Sequence, residues 1–485
     1  MTMPLSRRRF LTHTAAVTAG FAGLRSFTGQ SGSSALAQAS DDAGFGPLIK
    51  DPKRILDLPA GFSYSIISRK GEVMDDGFYV PAKHDGMATF PGPDGLTLIV
   101  RNHEITGPNN KLGPFGRNGE LFGKVPLSKV YDSSYAVGAI AGGTTTLVYD
   151  TKQQKLVRHY LSLVGTDHNC AGGPTPWGSW ISCEESVAPI NDIYEEEHGY
   201  NFEVPATAEI NLTKPVPLKA MGRFNHEAIA VDPNSGIIYQ TEDRQDGVLY
   251  RFIPKVPGKL AEGGRLQFLA VKDRPSLDLR NWKKVDTKKL QSGGAHDTEF
   301  EGDGTLNDNT PVGKKYEIYW QDIDNVEAPK DDLRYRAFKA GAARFARNEG
   351  MWYGNDAVYF ASTTGGHNAK GQIWRYTPSP NEGTDKEKDT PATLELFIEP
   401  NDKSVLQHAD NLCVSHFGDI IVCEDGGPVN HVLGVTPQGQ VYKLGRNTMN
   451  KSEFAGGCFS PDGSTLFVNI QNPGLTLAVT GPWTG

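Results

Sequence analysis

One pattern of apolar and polar positions recurs along the chain. A short β-like apolar run meets a turn rich in Pro, Asp, Asn and Gly, a second run follows, and the unit closes on a polar, often acidic, end. Residues 91–95 (PGPDG) lead to 96–104 (LTLIVRNHE), and 174–178 (PTPWG) lead to 179–185 (SWISCEE). Residues 232–236 (DPNSG) lead to 237–243 (IIYQTED), and 352–356 (WYGND) to 357–363 (AVYFAST). Residues 414–418 (VSHFG) lead to 419–425 (DIIVCED), and 459–463 (FSPDG) to 464–471 (STLFVNIQ). Further β-rich runs follow, such as VLYRFIP after Gly247, GQIWRYTP from Gly371 and GQVYKLG from Gly439.

Six such units, each a three- or four-stranded antiparallel sheet, predict an all-β chain: a six-bladed β-propeller with inserted loops and a central metal-binding channel. A β-sandwich is the alternative architecture. The turn glycines Gly95, Gly178, Gly236, Gly354, Gly418 and Gly463 are spaced by 83, 58, 118, 64 and 45 residues. The last spacing is that of a bare blade, about 40–45 residues. The longer ones predict insertions, including exposed loops at Lys-rich 283–289 and acidic 299–308.

Composition supports this. Of 485 residues, 55 are Gly and 31 Pro, 22% are charged and 38% hydrophobic, which fits a turn-rich globular fold rather than a coiled coil or a disordered chain. A formal charge of −8 argues against binding along a nucleic-acid backbone. Five cysteines exclude a disulfide-built scaffold.

The N-terminus reads as an address. Residues 6–11 (SRRRFL) precede a modest apolar run, Ala15 to Leu24, and Ala35-Leu36-Ala37 forms a small-residue cleavage site. This predicts a twin-arginine export signal over 1–37 and one propeller domain over 38–485. A membrane anchor is the other reading, but the run is too short and carries His13 and Arg25 at its ends. No later stretch has 18 consecutive apolar residues, so no permanent membrane span is expected. Removing 1–37 takes the charge from −8 to −12. The mature protein is therefore expected to be acidic, periplasmic or secreted, handed over by the twin-arginine export machinery, and monomeric. That route carries folded proteins, which hints at a cofactor loaded before export.

The first strand of each propeller blade lines the central channel. Counting back from the turn glycines, Cys170 lies eight before Gly178, Glu227 nine before Gly236, Glu349 five before Gly354 and Asp410 eight before Gly418. Four blades thus aim a thiol or a carboxylate into one channel. Converging carboxylates need a balancing cation. Oxygen ligands suit Ca²⁺ or Mg²⁺, and a thiolate among them calls for iron or zinc. The repeat ends supply a second ring with a hard-cation signature: Asn102 and Glu104, Glu184 and Glu185, Glu242 and Asp243, Glu424 and Asp425. Cys183 and Cys423 precede the acidic pairs and alternate toward the core rather than the channel. Cys413 and Cys423, each five residues from Gly418, could be cross-strand neighbours, and Cys458 reads as a core thiol. Arg347 shares a strand side with Glu349 and offers a guanidinium fork for a phosphate or carboxylate.

The segments RNHE (101–104), NCAGGPTPWGSWISCEES (169–186), GRFNHEA (222–228), ARNEGMWY (346–353) and VCEDG (422–426) resemble the PhoX-type bacterial alkaline phosphatases, in the same order. The resemblance implies several Ca²⁺ ions and a di-iron Fe³⁺ centre in the channel, and hydrolysis of small phosphoesters, monoesters foremost. It carries iron ligation onto Cys170, Glu227 and Glu349, phosphate contact onto Arg347, and a phosphate or calcium contact onto Asn102. Neither Gly-x-Ser-x-Gly nor a P-loop is present, so serine-nucleophile and P-loop chemistry are disfavoured. A lactonase-like calcium propeller and a non-catalytic binding propeller are the other two classes.

Overall fold

In the computed structural model, residues 43–135, 139–282 and 309–483 are described. The segment 1–37, the lysine-rich 283–289 and the acidic 299–308 lie outside them. Nearly all regular structure is β, with one α-helix, Leu333–Lys339, among the described residues.

Six inner strands stand side by side in a closed ring: His84–Pro91, Asn169–Pro174, His226–Val231, Asn348–Gly354, Ala409–Val414 and Phe454–Phe459. Each packs against the next, and the last returns to the first. Each also pairs antiparallel with the run that follows its turn, namely Thr97–His103, Ser179–Glu184, Ile238–Glu242, Ala357–Ser362, Ile420–Glu424 and Thr465–Ile470. Ring closure does not depend on the C-terminus alone: the early strand Ser63–Arg69 pairs with Leu475–Thr480 and completes the last sheet.

The arrangement is propeller-like, but its sheets do not separate into the six blades expected. Four sheets stand apart, with three, four, four and six strands. The strands from His226–Val231 to Asn348–Gly354 run instead in one continuous nine-stranded sheet. The cause is Lys315–Asp322, which pairs with Gly264–Val271 on one side and Thr393–Ile398 on the other. It fills the gap between what would be two outer edges, and so covers edges that would otherwise be exposed.

Close packing of the inner strands explains several small residues. A Cβ on Gly350 would lie 2.6 Å from the Asn411 Cα, and one on Gly173 would lie 2.1 Å from the Ile229 carbonyl oxygen. Beneath the acidic end the channel is nearly filled. A cavity of 20 Å³ is lined by Gly86, Ala171, Ala228, Gly350, Trp352 and Gly456 among others, and Trp352 packs against four of the surrounding apolar clusters. Among the described residues no helix is long and apolar enough to cross a membrane.

Candidate metal centre and phosphate site

Each inner strand carries a register shift against its partner at its start. In five of them two residues oppose one, and the first of the two is Asp85, Cys170, Glu227, Glu349 or Asp410. A β-bulge re-aims a side chain that regular alternation would send elsewhere. The sixth strand shifts later, after Ala455, at Gly456 and Gly457, and its acid, Glu453, comes from just before the strand.

A second ring arises from the residue that follows each partner strand. Its amide donates to the carbonyl of the residue preceding the inner strand: Glu104 to Lys83, Glu185 to His168, Asp243 to Asn225, Thr363 to Arg347, Asp425 to His408 and Gln471 to Glu453, at 2.8–3.4 Å. Lys83, His168, Arg347 and His408 all hold φ near +50°. That conformation is uncommon for residues with a side chain, and here it recurs at the channel entrance.

The two rings merge into one cluster. Groups of possible ligand atoms lie within 4.8 Å of one another: Cys170 with Glu185 and Glu227; Glu227 with Glu349 and Asp410; Asp85 with Glu104 and Glu453; Asp410 with Asp425 and Glu453; and Glu104 with His168 and Glu185. The cluster grades from a closed floor to an open mouth, with Glu227 fully buried and Asp425 exposed.

Few cations offset these acids. His168 Nε2 meets Glu104 at 2.7 Å and Lys83 Nζ meets it at 3.4 Å. Arg347 donates to Asp243 through Nε and Nη2, at 2.9 and 2.6 Å, and contacts Glu349 at 2.7 Å. Burial opposes ionisation of Glu104 and Asp243, yet His168 and Arg347 respectively hold them below the usual carboxylate range. Elsewhere burial wins. Asp85, Glu185, Glu227, Glu349 and Glu453 are pushed well above the usual range, chiefly by desolvation, with neighbouring acids adding to it. Burial and Asp425 lift Asp410 to about 8. The Cys170 thiol is raised by burial and by Asp85.

Among the described residues, neither buried carboxylate oxygen of Glu227 has a hydrogen-bond partner. A buried polar atom left this way is costly unless something else satisfies it. Carboxylates and one thiol around it are the donor set of a hard cation beside a transition metal. The residues present therefore fit a metal cluster.

The family model "Alkaline phosphatase PhoX" matches residues 43–474. The chain belongs to the PhoX alkaline phosphatase family. Its structure is similar to that of Pseudomonas fluorescens PhoX in complex with vanadate, a transition state analogue, at 17% identity and a TM-score of 0.61, over 88% of this chain and 96% of that one. Fainter likenesses are a gluconolactonase from Xanthomonas campestris, at 12% identity and TM-score 0.35 over 91% and 99% of the two chains, and the calcium-binding protein regucalcin from Agrobacterium tumefaciens, at 11% and 0.37 over 86% and 96%. Both are too slight to build on. No curated protein matches in sequence.

Of the residues singled out in this PhoX-family sequence, Glu104, Cys170, Glu185, Glu227, Asp243, Arg347, Glu349, Asp410 and Asp425 come together. Glu184, Glu242 and Glu424 do not. Each is the last residue of its strand and turns into the sheet. Glu184 accepts from the Asp167, Gly199 and Tyr200 amides and from His198. Glu242 accepts from the Val248 amide and the Tyr250 hydroxyl, and Glu424 from the Gln407 and His431 amides. Asn102 is also outside the channel. Its Nδ2 donates to the Ala171 and Cys170 carbonyls at 2.6 and 3.2 Å, and its Oδ1 accepts from Trp180 and Ser182. It pins the bulge that presents Cys170, which is a positioning arrangement rather than a substrate contact.

Sequence reasoning missed Asp85, Lys83, His168, Glu453 and Gln471. A signal existed for Asp85: residues 83–86 (KHDG) repeat the cation-x-acid-Gly order of 347–350 (RNEG). All five cysteines are free and buried, so Cys413 and Cys423 form no disulfide.

Proposed function

We propose that this chain is an exported, metal-dependent phosphatase that hydrolyses small phosphate monoesters, and that residues 38–485 form its single six-sectored propeller. The observation that carries the reading is Glu227, fully buried amid Cys170, Glu185, Glu349 and Asp410, with two oxygens that have no hydrogen-bond partner among the described residues. Cys170, Glu227 and Glu349 would hold iron. Asp85, Glu104, Glu185, Asp243, Asp410, Asp425 and Glu453 would share calcium. When bound, these cations supply Lewis-acid polarisation of the phosphoryl group and offset repulsion between the anionic ester and the acids.

The chain's own residues do the rest. Arg347 stands at the channel mouth with its guanidinium fixed by Asp243 and Glu349, and it orients the non-bridging oxygens of the ester. Lys83 and His168 keep Glu104 ionised and in place, with Gln471 Nε2 donating to Glu104 at 2.6 Å and to Asp85 at 2.9 Å. Beneath the cluster the channel narrows to a cavity of about 20 Å³, too small to admit a phosphate ester. Overall, water adds across the P–O ester bond, releasing an alcohol and inorganic phosphate.

The test is hydrolysis of p-nitrophenyl phosphate by the purified mature protein, with and without a chelator. Metal-dependent turnover supports the reading. A metal-loaded protein that cleaves no phosphoester overturns it.

A further inference from the structure

A second cavity, of about 590 Å³, lies at the outer rim of the six-stranded sheet. It stands against Val441–Asn447, three strands out from the inner strand Ala409–Val414. None of the residues of the acidic cluster lines it. Its size falls in the range of small-molecule pockets, about 300–1,000 Å³.

The cavity is built rather than left over. Residues 43–48 form one wall, and this strap is pinned on both sides of Gly46 and Pro47. Before them, the Phe45 ring packs edge-on against Phe62, Tyr442 and Trp483. After them, Leu48 and Ile49 pair with Pro59 and Leu58. The Tyr442 ring fits only because two neighbours are glycine: a Cβ on Gly44 would lie 2.2 Å from it and one on Gly434 2.0 Å. Its hydroxyl donates to Asp419 at 2.7 Å. A wall held in this way costs little to organise when a ligand enters.

The lining divides by chemistry. Pro47, Leu48, Val405 and Val441 are apolar, His431, Lys443 and Arg446 carry nitrogen, and no carboxylate is among them, in a chain of formal charge −8. A β-bulge brings the two long cations together. Val432 and Leu433 oppose Gly445 and Lys443, so Leu444 is the extra residue. Regular alternation would send Lys443 and Arg446 to opposite faces, yet both line the cavity. Arg446 Nε donates to Asp57 at 2.9 Å, and His431 Nδ1 lies 2.9 Å from Glu424. Lys443 makes no ion pair among the described residues, and Arg446 Nη1 makes no hydrogen bond there.

We propose that this cavity binds a small organic monoanion, a carboxylate or sulfonate on an apolar body. The acidic group sits on Lys443 Nζ and Arg446 Nη1, and the body packs against Val405 and Val441. One cation without a counter-charge fits a single negative charge. The site goes beyond the phosphatase reading and does not depend on it.

The probe is 8-anilinonaphthalene-1-sulfonate, a monoanion with an aromatic body, titrated by fluorescence and calorimetry into the metal-loaded mature protein. Saturable binding of one probe per chain is expected. Lys443→Glu is expected to weaken it at least about tenfold, as a like charge at contact distance should. N-phenyl-1-naphthylamine, the uncharged analogue, is expected to bind at least about tenfold more weakly, on the scale of a lost charge-assisted hydrogen bond. Lys443→Arg should bind as wild type does, and Ser404→Trp, which fills the cavity, should not bind. An unchanged melting temperature shows that each variant folds. Equal binding by wild type, Lys443→Glu and Ser404→Trp would overturn the proposal, as would a wild type that binds no probe. A wild type that binds the probe as expected but hydrolyses no phosphoester would overturn the phosphatase reading and leave this site standing.

Discussion

Arg347 and Asp243 form a two-pronged pair, with Nε and Nη2 of the guanidinium donating to the carboxylate at 2.9 and 2.6 Å. The same Nη2 lies 2.7 Å from Glu349. The guanidinium thus ties an inner-strand bulge to the end of a neighbouring sector's partner strand. Replacing it with Ala leaves two buried acids facing each other. Arg347→Ala is expected to lower kcat/KM by about a hundredfold, the scale of losing one preorganised anion donor. Arg347→Lys should recover little of this, because a point charge cannot span both carboxylates. Steady-state kinetics on both variants checks it, and full rescue by Lys would count against the fork.

Glu227 and Cys170 make separable predictions about metal. Glu227→Gln keeps the shape but removes the charge from two oxygens that lack partners. It is expected to lower iron content several-fold while raising the thermal stability of the chelated protein, since folding no longer has to hold a proton on a buried carboxyl that the unfolded chain would release. Cys170→Ala is expected to remove iron and its visible absorption and to leave the far-ultraviolet dichroism intact. Retained iron at full occupancy in Cys170→Ala would refute its role.

The pH dependence of the metal-free protein has a definite sign. Burial and neighbouring acids lift Asp410 to about 8 and push Asp85, Glu227, Glu349 and Glu453 well above the usual range. The folded state then holds protons that the unfolded chain releases above pH about 4. Stability must therefore fall as pH rises from about 4 through about 8. Melting scans in excess chelator should show Tm dropping across that range, and restored metals should abolish the drop. A chelated Tm that does not change from pH 5 to 8 would contradict it.

His198 also lowers stability as pH rises, but over a higher range and by losing a favourable ion pair, and it lies away from the channel. It is buried between Glu184, at 2.7 Å from Nδ1, and Asp132, at 3.2 Å from Nε2. Burial disfavours its charge, but Glu184 and Asp132 outweigh that and lift it to about 10. Its contribution is fully present below about 6.5, its unfolded value, and is lost as pH rises through 10. His198→Gln should cost about 3 kcal/mol at pH 6, the scale of breaking a buried pair, with a smaller penalty above pH 9. Denaturant titrations at the two pH values measure it.

Gly350 tests the packing of the ring. A methyl group there would stand 2.6 Å from the Asn411 Cα, on the neighbouring inner strand. Gly350→Ala should destabilise by about 3 kcal/mol through overpacking. It should also loosen metal binding, because Glu349 and Asp410 stand immediately before these two residues.

Much of this was legible in the chain. The turn at Gly236 and the run ending at Asp243 announce a hairpin, and Cys170, Glu227, Glu349 and Asp410 were found by counting back from such turns. The acidic pairs were harder. Glu184 and Glu185 look alike as letters, but one ends a strand and turns inward onto backbone amides while the next emerges into the channel. Which of the two does so depends on where the strand stops, and sequence patterns locate strand ends poorly. Asn102 misled for the same reason: it lies opposite the bulge at Asp85 and Gly86, on the side facing its neighbours rather than the axis. The continuous nine-stranded sheet was hidden because Lys315–Asp322 lies in the longest insertion, outside every repeat.

The most direct test of the central claim is elemental analysis of the purified mature protein, paired with p-nitrophenyl phosphate hydrolysis before chelation, after it, and after metals are restored. The account predicts calcium and iron bound together, with turnover lost on chelation and regained on reloading. A protein that hydrolyses the ester equally well without metal, or that carries calcium and iron and hydrolyses nothing, would contradict it.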